Sequence, residues 1–295
     1  MINLIKKDIN LQRVSQYSIL WPFIILLLLI TVSCKRQRIT YTPKGYDITK
    51  PEKTDLGSKL REISGIFWVN DRVMLANNDE AGKIFFINLN DKSDFSYPNM
   101  VFGEKNDYED IVKVDSTAYL LISTGQIVAV RGFARGGERP GTLVAALAGT
   151  GNEFETMYYD SAANSLVMLC KSCHKEKNQM RKAYRFDLTS QQLADSPYYR
   201  IDINEIRRLL KDSRAEFYPS AAAINPVQNK LYIVSSIGKL LVVTDRMGKV
   251  ESAIPLSPSM FPQPEGITFA ANGDMFISNE GQDDRATLLK FRYKP

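Results

Sequence analysis

The chain contains one histidine, His174, in 295 residues. Any relay built on imidazole must run through that residue. Three cysteines leave room for at most one intrachain pair. The longest apolar run, Ser18 to Val32, is 15 residues, short of the roughly 20 that a spanning helix needs. No strand, glycine loop and helix end in Lys-Ser or Lys-Thr, which argues against a phosphate cradle. The Gly- and Arg-rich stretch Arg131 to Arg139 reads as an exposed loop. Net charge is also small once it is located. The net charge is +5; residues 1–33 carry +2, and Lys35, Arg36 and Arg38 supply the rest. The remaining chain is near neutral and forms no nucleic-acid patch.

Residues 1–33 read as an export leader. Lys6, Lys7 and Arg13 precede the apolar run, which ends at Ser33-Cys34. A charged start, a short apolar core and a small residue at the cut mark a secretory signal. Thr31-Val32-Ser33-Cys34 looks like the lipobox of bacterial lipoproteins, with Thr31 where Leu is usual. By that resemblance, Cys34 is lipidated and anchors the chain to a membrane. Basic Lys35-Arg36-Gln37-Arg38, in place of an acidic run, points to a periplasm-facing envelope protein in either membrane. Residues 35–56 read as a linker that can add an outer strand.

What the chain does have is one pattern, five times over. Copies open at Ser64, Glu109, Glu155, Ser220 and Glu265, spaced 45, 46, 65 and 45 residues apart. Each runs on as short apolar stretches separated by polar turns. The fourth copy shows the cycle: Ser220 to Ile224, Leu231 to Ser235, Leu240 to Asp245, and Val250 to Leu256. A period of about 40–50 residues with several strands is that of a β-propeller blade. Such sheets cannot bury their own faces and stack radially instead. Residues 57–295 therefore predict an all-β fold, a five-bladed β-propeller of about four antiparallel strands per blade, in preference to a β-sandwich. The long gap before the fourth copy is an insertion. Ile203 to Lys211 has helical periodicity, with Asp202 or Asn204 as cap.

The opening residues of inner strands converge on the axis of a propeller. Glu109, Glu155 and Glu265 would then repel one another, unless protonation, a basic partner or a bound cation offsets the charge. A set of carboxylates, hydroxyls and carbonyls suits Ca²⁺. Ser64 and Ser220 are second-rank ligands, as are Asp79, Glu80 and Glu280 in the loops after second strands.

Cys170-Lys171-Ser172-Cys173-His174 matches the attachment pattern of c-type haem. Its place at a strand end, followed by a polar stretch, argues against haem. With Cys34 lipidated, a Cys170–Cys173 disulfide or a free dithiol is simpler. No βαβ surroundings suggest thioredoxin-like chemistry.

Together, Glu62-Ile63-Ser64-Gly65-Ile66, Asn78 to Ile84, Glu109-Asp110-Ile111, Glu155, Pro219-Ser220, Leu231 to Ser236 and Gln263-Pro264-Glu265-Gly266-Ile267 resemble the SdiA-regulated (YjiK-like) family of bacterial envelope proteins. The resemblance spans Leu60 to Phe291. It implies a five-bladed propeller with a Ca²⁺ site at Glu109, Glu155 and Glu265. Ala221 and Thr156 depart from the family's glycine after the opening residue. Two functions stay open. One is a monomeric Ca²⁺-binding lipoprotein that recognises a small molecule or protein. The other is a Ca²⁺-dependent hydrolase of lactones, esters or phosphates, with Glu109 or Asp110 as base.

Overall fold

The computed structural model describes residues 42–295, apart from 92, 94, 133–135, 148–150, 175–178 and 282–284. The leader, Cys34 and the basic stretch behind it lie outside the described residues. A first strand, β1 (Glu52–Asp55), precedes the blades. Blade 1 is β2 (Ile63–Asn70), β3 (Val73–Asn78), β4 (Lys83–Asn88) and β5 (Asn99–Val101). Blade 2 is β6 (Tyr108–Val114), β7 (Thr117–Ile122), β8 (Gln126–Arg131) and β9 (Thr142–Ala146). Blade 3 is β10 (Glu153–Asp160), β11 (Ser165–Ser172), β12 (Met180–Asp187), β13 (Gln192–Leu193) and β14 (Tyr199–Asp202). The helix α1 (Ile203–Leu210) follows. Blade 4 is β15 (Pro219–Asn225), β16 (Lys230–Ser235), β17 (Leu240–Thr244) and β18 (Val250–Pro255). Blade 5 is β19 (Pro264–Phe269), β20 (Met275–Asn279) and β21 (Thr287–Phe291), with β1 as its outer strand.

Each blade is an antiparallel meander, and the inner strands close a ring. β2 packs on β6, β6 on β10, β10 on β15, β15 on β19, and β19 back on β2. The expected four-strand sheet is thus present in blades 1, 2, 4 and 5. Blade 3 departs from it, because β13 and β14 both pair with β12. The segment read as a linker does more than bridge. β1 pairs antiparallel with β21, and Tyr46 and Ile48 are buried in the core between blades 4 and 5. Tyr46 also donates through its hydroxyl to the Gly273 carbonyl, at the Asn272-Gly273 turn.

The core is divided into five clusters, one at each interface between blades. Alternation along the strands explains this, because each blade has two apolar faces and a neighbour on either side. The insertion is used for packing. Asp202 caps α1 by accepting the Asn204 N–H at 2.8 Å, and Ile203 and Ile206 enter the core between blades 3 and 4.

Candidate functional site

One irregularity is repeated in all five blades. The pairing of inner with second strand slips between Ile63 and Ile66, Tyr108 and Asp110, Phe154 and Thr156, Pro219 and Ala221, and Pro264 and Gly266. The residues skipped are Ser64 with Gly65, then Glu109, Glu155, Ser220 and Glu265. A bulge leaves its extra residue out of the ladder and re-aims the side chain. Here equivalent bulges free the strand-opening residues of all five blades from the ladder at one end of the ring.

A cavity of about 490 Å³ lies at that end. Glu109, Glu155, Glu265 and Ser64 line it, together with Glu280, Asp79, Asp107, Lys171, Lys239, Tyr218, Ser236 and Gln263. Asp79 and Glu280 follow second strands. Those strands run antiparallel to the inner ones, so their ends return to the rim where the inner strands begin. Two of the sequence candidates are elsewhere. The Ser220 hydroxyl donates to the Pro264 carbonyl at 2.7 Å and accepts the Ser236 N–H at 3.2 Å, tying blade 4 to blade 5. Glu80 is exposed and faces Lys105 at 3.7 Å.

Asp110 is also absent from this cavity. It is buried, with Oδ1 accepting the Ile111 N–H and Oδ2 the Met157 N–H, each at 2.8 Å. It lines a separate 370 Å³ pocket within the inner strands, walled by Phe67, Met157, Tyr158 and Phe269. A Cβ on Gly65 would come within 2.6 Å of Asp110 Oδ1, so glycine leaves the room that this carboxyl occupies.

Six acidic side chains face two lysines around the rim cavity. Lys171 pairs with Glu155 and lies 3.3 Å from Glu153. It sits between Cys170 and Cys173, which are joined as a disulfide with Cα atoms 5.7 Å apart. Lys239 donates instead to the Ser236 and Pro262 carbonyls at 2.7 and 2.6 Å. The acids remain under-compensated. Burial, then Glu155, Asp107 and Glu265, push Glu109 up to about 9. Burial and Glu155 push Glu265 up to about 8, against a hydrogen bond with Ser236. Burial raises Glu155 to about 6, with Lys171 holding it down. Burial and the neighbouring Glu62 push Glu280 up to about 7. Burial and Glu62 likewise raise Asp79.

The donor chemistry can be compared with that of a cation site. The donors are all oxygen, as Ca²⁺ prefers, and Asp79 Oδ1 is buried with no hydrogen-bond partner among the described residues. Among those residues, no three His, Cys, Asp or Glu side chains stand close enough to share a metal ion. The acids surround a common space without forming a coordination sphere. In donor chemistry they fit Ca²⁺; to share one ion, Glu155 would have to leave Lys171.

Sequence reasoning missed Lys171, Asp107, Ser236, Lys239 and Tyr218. The signal for Lys171 and Ser236 was their position near the ends of second strands, the same signal that brought Asp79 and Glu280 in.

No protein-family model matches the sequence, and no curated protein matches it. Solved structures do resemble it. Myxococcus xanthus glutaminyl cyclase superposes with a TM-score of 0.53 at 12% identity, covering 81% of this chain and 93% of its own. A glucose dehydrogenase gives 0.53 at 9% identity, over 83% and 100%. A luciferin-regenerating enzyme gives 0.51 at 8% identity, over 82% and 95%. At such identities the likeness shows the fold alone, a β-propeller.

Proposed function

We propose that the chain is an envelope lipoprotein of the SdiA-regulated type, anchored through Cys34 and facing the periplasm. Its propeller is a recognition module whose acidic mouth binds a cation, with Ca²⁺ the candidate ion. One observation carries this reading: three of the five bulges bring Glu109, Glu155 and Glu265 into a single cavity, where six acids face two lysines that do not neutralise them. Glu109, Glu155 and Glu265 would hold the ion, with Asp79 and Glu280 next to them. Bound Ca²⁺ would supply positive charge for gripping or polarising a ligand oxygen.

The test is calorimetric titration of the full chain in detergent with Ca²⁺. Saturable binding is expected, abolished in Glu155→Gln and Glu265→Gln. A parent protein that gives no heat and no thermal shift with Ca²⁺ would remove the reading.

Hydrolysis is the second reading, and the unequal acids favour it. Glu109, a candidate base from the sequence, is held near 9 and retains its proton at neutral pH, which suits it to act as an acid instead, whereas Glu155, near 6, is mostly ionised. Acid and base roles are divided by this kind of separation. Turnover of lactones, esters or phosphate esters that Glu265→Gln abolishes would establish it.

A further inference from the structure

Arg181, on β12, is 1% exposed. A buried guanidinium normally pairs with a carboxylate or fills its donors with carbonyls. Here Nη1 donates to the Met180 carbonyl at 3.0 Å. Nε and Nη2 have no hydrogen-bond partner among the described residues. Those two nitrogens form the lateral edge of the guanidinium. Their parallel N–H bonds match the two oxygens of a carboxylate or phosphate. Burial pulls the Arg181 pKa below its ordinary value, Tyr218 opposes this, and Arg207 adds to it. The fold therefore keeps a charged, partly unsatisfied fork at an energetic cost.

The fork is next to the acidic cavity. The guanidinium carbon lies 4.7 Å from the centre of the Tyr218 ring, and Tyr218 lines the cavity. The strands agree. Leu169 of β11 pairs with Ala183 of β12. Two residues further toward the rim on each strand come Lys171 and Arg181, which alternation puts on one face. Tyr218 thus lines the carboxylate cavity and also carries the guanidinium of Arg181 stacked on its ring.

We propose that Arg181 is an oxyanion-binding residue, and that the ligand of this propeller is a small organic carboxylate or phosphate monoester. The ligand enters the rim cavity, displaces Tyr218, and is held by Arg181 on one side and the cavity cation on the other. The second grip rests on the cation reading above; the first does not.

Acetate and methyl phosphate are the probes, titrated against the full chain in detergent by ligand-observed NMR, with and without Ca²⁺. One or both are expected to bind, and which one does identifies the oxyanion. Arg181→Met is expected to weaken that binding by about tenfold or more, as loss of a charge-assisted hydrogen bond does. Its Ca²⁺ affinity should be unchanged. Arg181→Lys keeps the charge and loses the fork, so it should also bind more weakly, and it decides the matter if the Met variant does not fold. Oxyanion binding that is lost with Arg181 but needs no Ca²⁺ would support Arg181 and sink the cation grip. Equal binding in parent and variants, or Ca²⁺ binding with no oxyanion binding, would overturn the proposal and leave the cation site standing. No binding of either kind would overturn both.

Discussion

At the scale of single residues, the mouth of the channel draws three of its six acids from skipped positions and holds one lysine paired with them. Glu109, Glu155 and Glu265 were legible as repeat openings, because the period put them at equivalent places. The bulges that aim them were not, since both faces of a blade are apolar and the inverted alternation that a one-residue slip causes does not stand out. Lys171 was hidden inside a cysteine motif that drew attention to redox and haem chemistry. It is nonetheless the counter-ion of the cavity, engaging Glu155 and Glu153. A cation entering the site must compete with it. Lys171→Met is therefore expected to tighten Ca²⁺ binding by about tenfold, a modest share of the ~4 kcal/mol that unit charges about 4 Å apart carry near a protein surface. The same change should lower the melting temperature without Ca²⁺, because Glu155 stays buried without its partner. Calorimetry and melting on the one variant check both. Equal affinity in parent and variant would mean that Lys171 does not occupy the cation's place.

Among the elements, the blades themselves were plain in the sequence, and the joints between them were not. Runs such as Leu231 to Ser235 read directly as strands. The segment before the first repeat read as a linker able to add an outer strand, and β1 does complete blade 5, but its pairing with β21 and the anchoring of Tyr46 on the Gly273 carbonyl left no mark in it. Long-range pairing of this kind has no local signal. Blade 5 shows how its own strands are pinned. Asp274, at the entry to β20, accepts the Tyr293 N–H at 2.9 Å and pairs with Lys290 of β21 at 3.1 Å. Burial alone would raise the pKa of Asp274, but these partners leave it below its ordinary value. A carboxyl depressed in this way stabilises the fold above its unfolded pKa of about 3.9, and the contribution fades as pH falls through the folded value. Asp274→Asn is expected to cost on the order of 1 kcal/mol at pH ~7, and much less below pH ~3. Urea unfolding at both ends of that range is the check. A deficit of the same size at both pH values would assign the effect to shape and not to charge.

For the whole molecule, stability belongs to the interfaces between blades. Each core cluster draws on two neighbouring sheets, and no blade keeps a core to itself. The ring should therefore unfold in one step, and a defect at one interface should be felt as a loss of global stability. The joint between blades 3 and 4 offers a sharp case. Asp160, at the end of β10, is 2% exposed, and Arg246, just after β17, grips both of its oxygens. Asp160 Oδ1 also accepts the Ala163 N–H at 3.0 Å. Breaking such a pair from the arginine side leaves a buried carboxylate without its counter-charge. Arg246→Met is accordingly expected to cost about 3–5 kcal/mol, and adding Asp160→Asn to recover part of it, because the remaining group is neutral. Urea denaturation should show a lower midpoint with an unchanged slope, as for a cooperative ring weakened at one joint. A shallower slope, or a second transition, would mean that blades 3 and 4 separate before the rest unfolds. A cost under about 1 kcal/mol would place the pair among solvated surface bridges, and the joint would then rest on its apolar cluster alone.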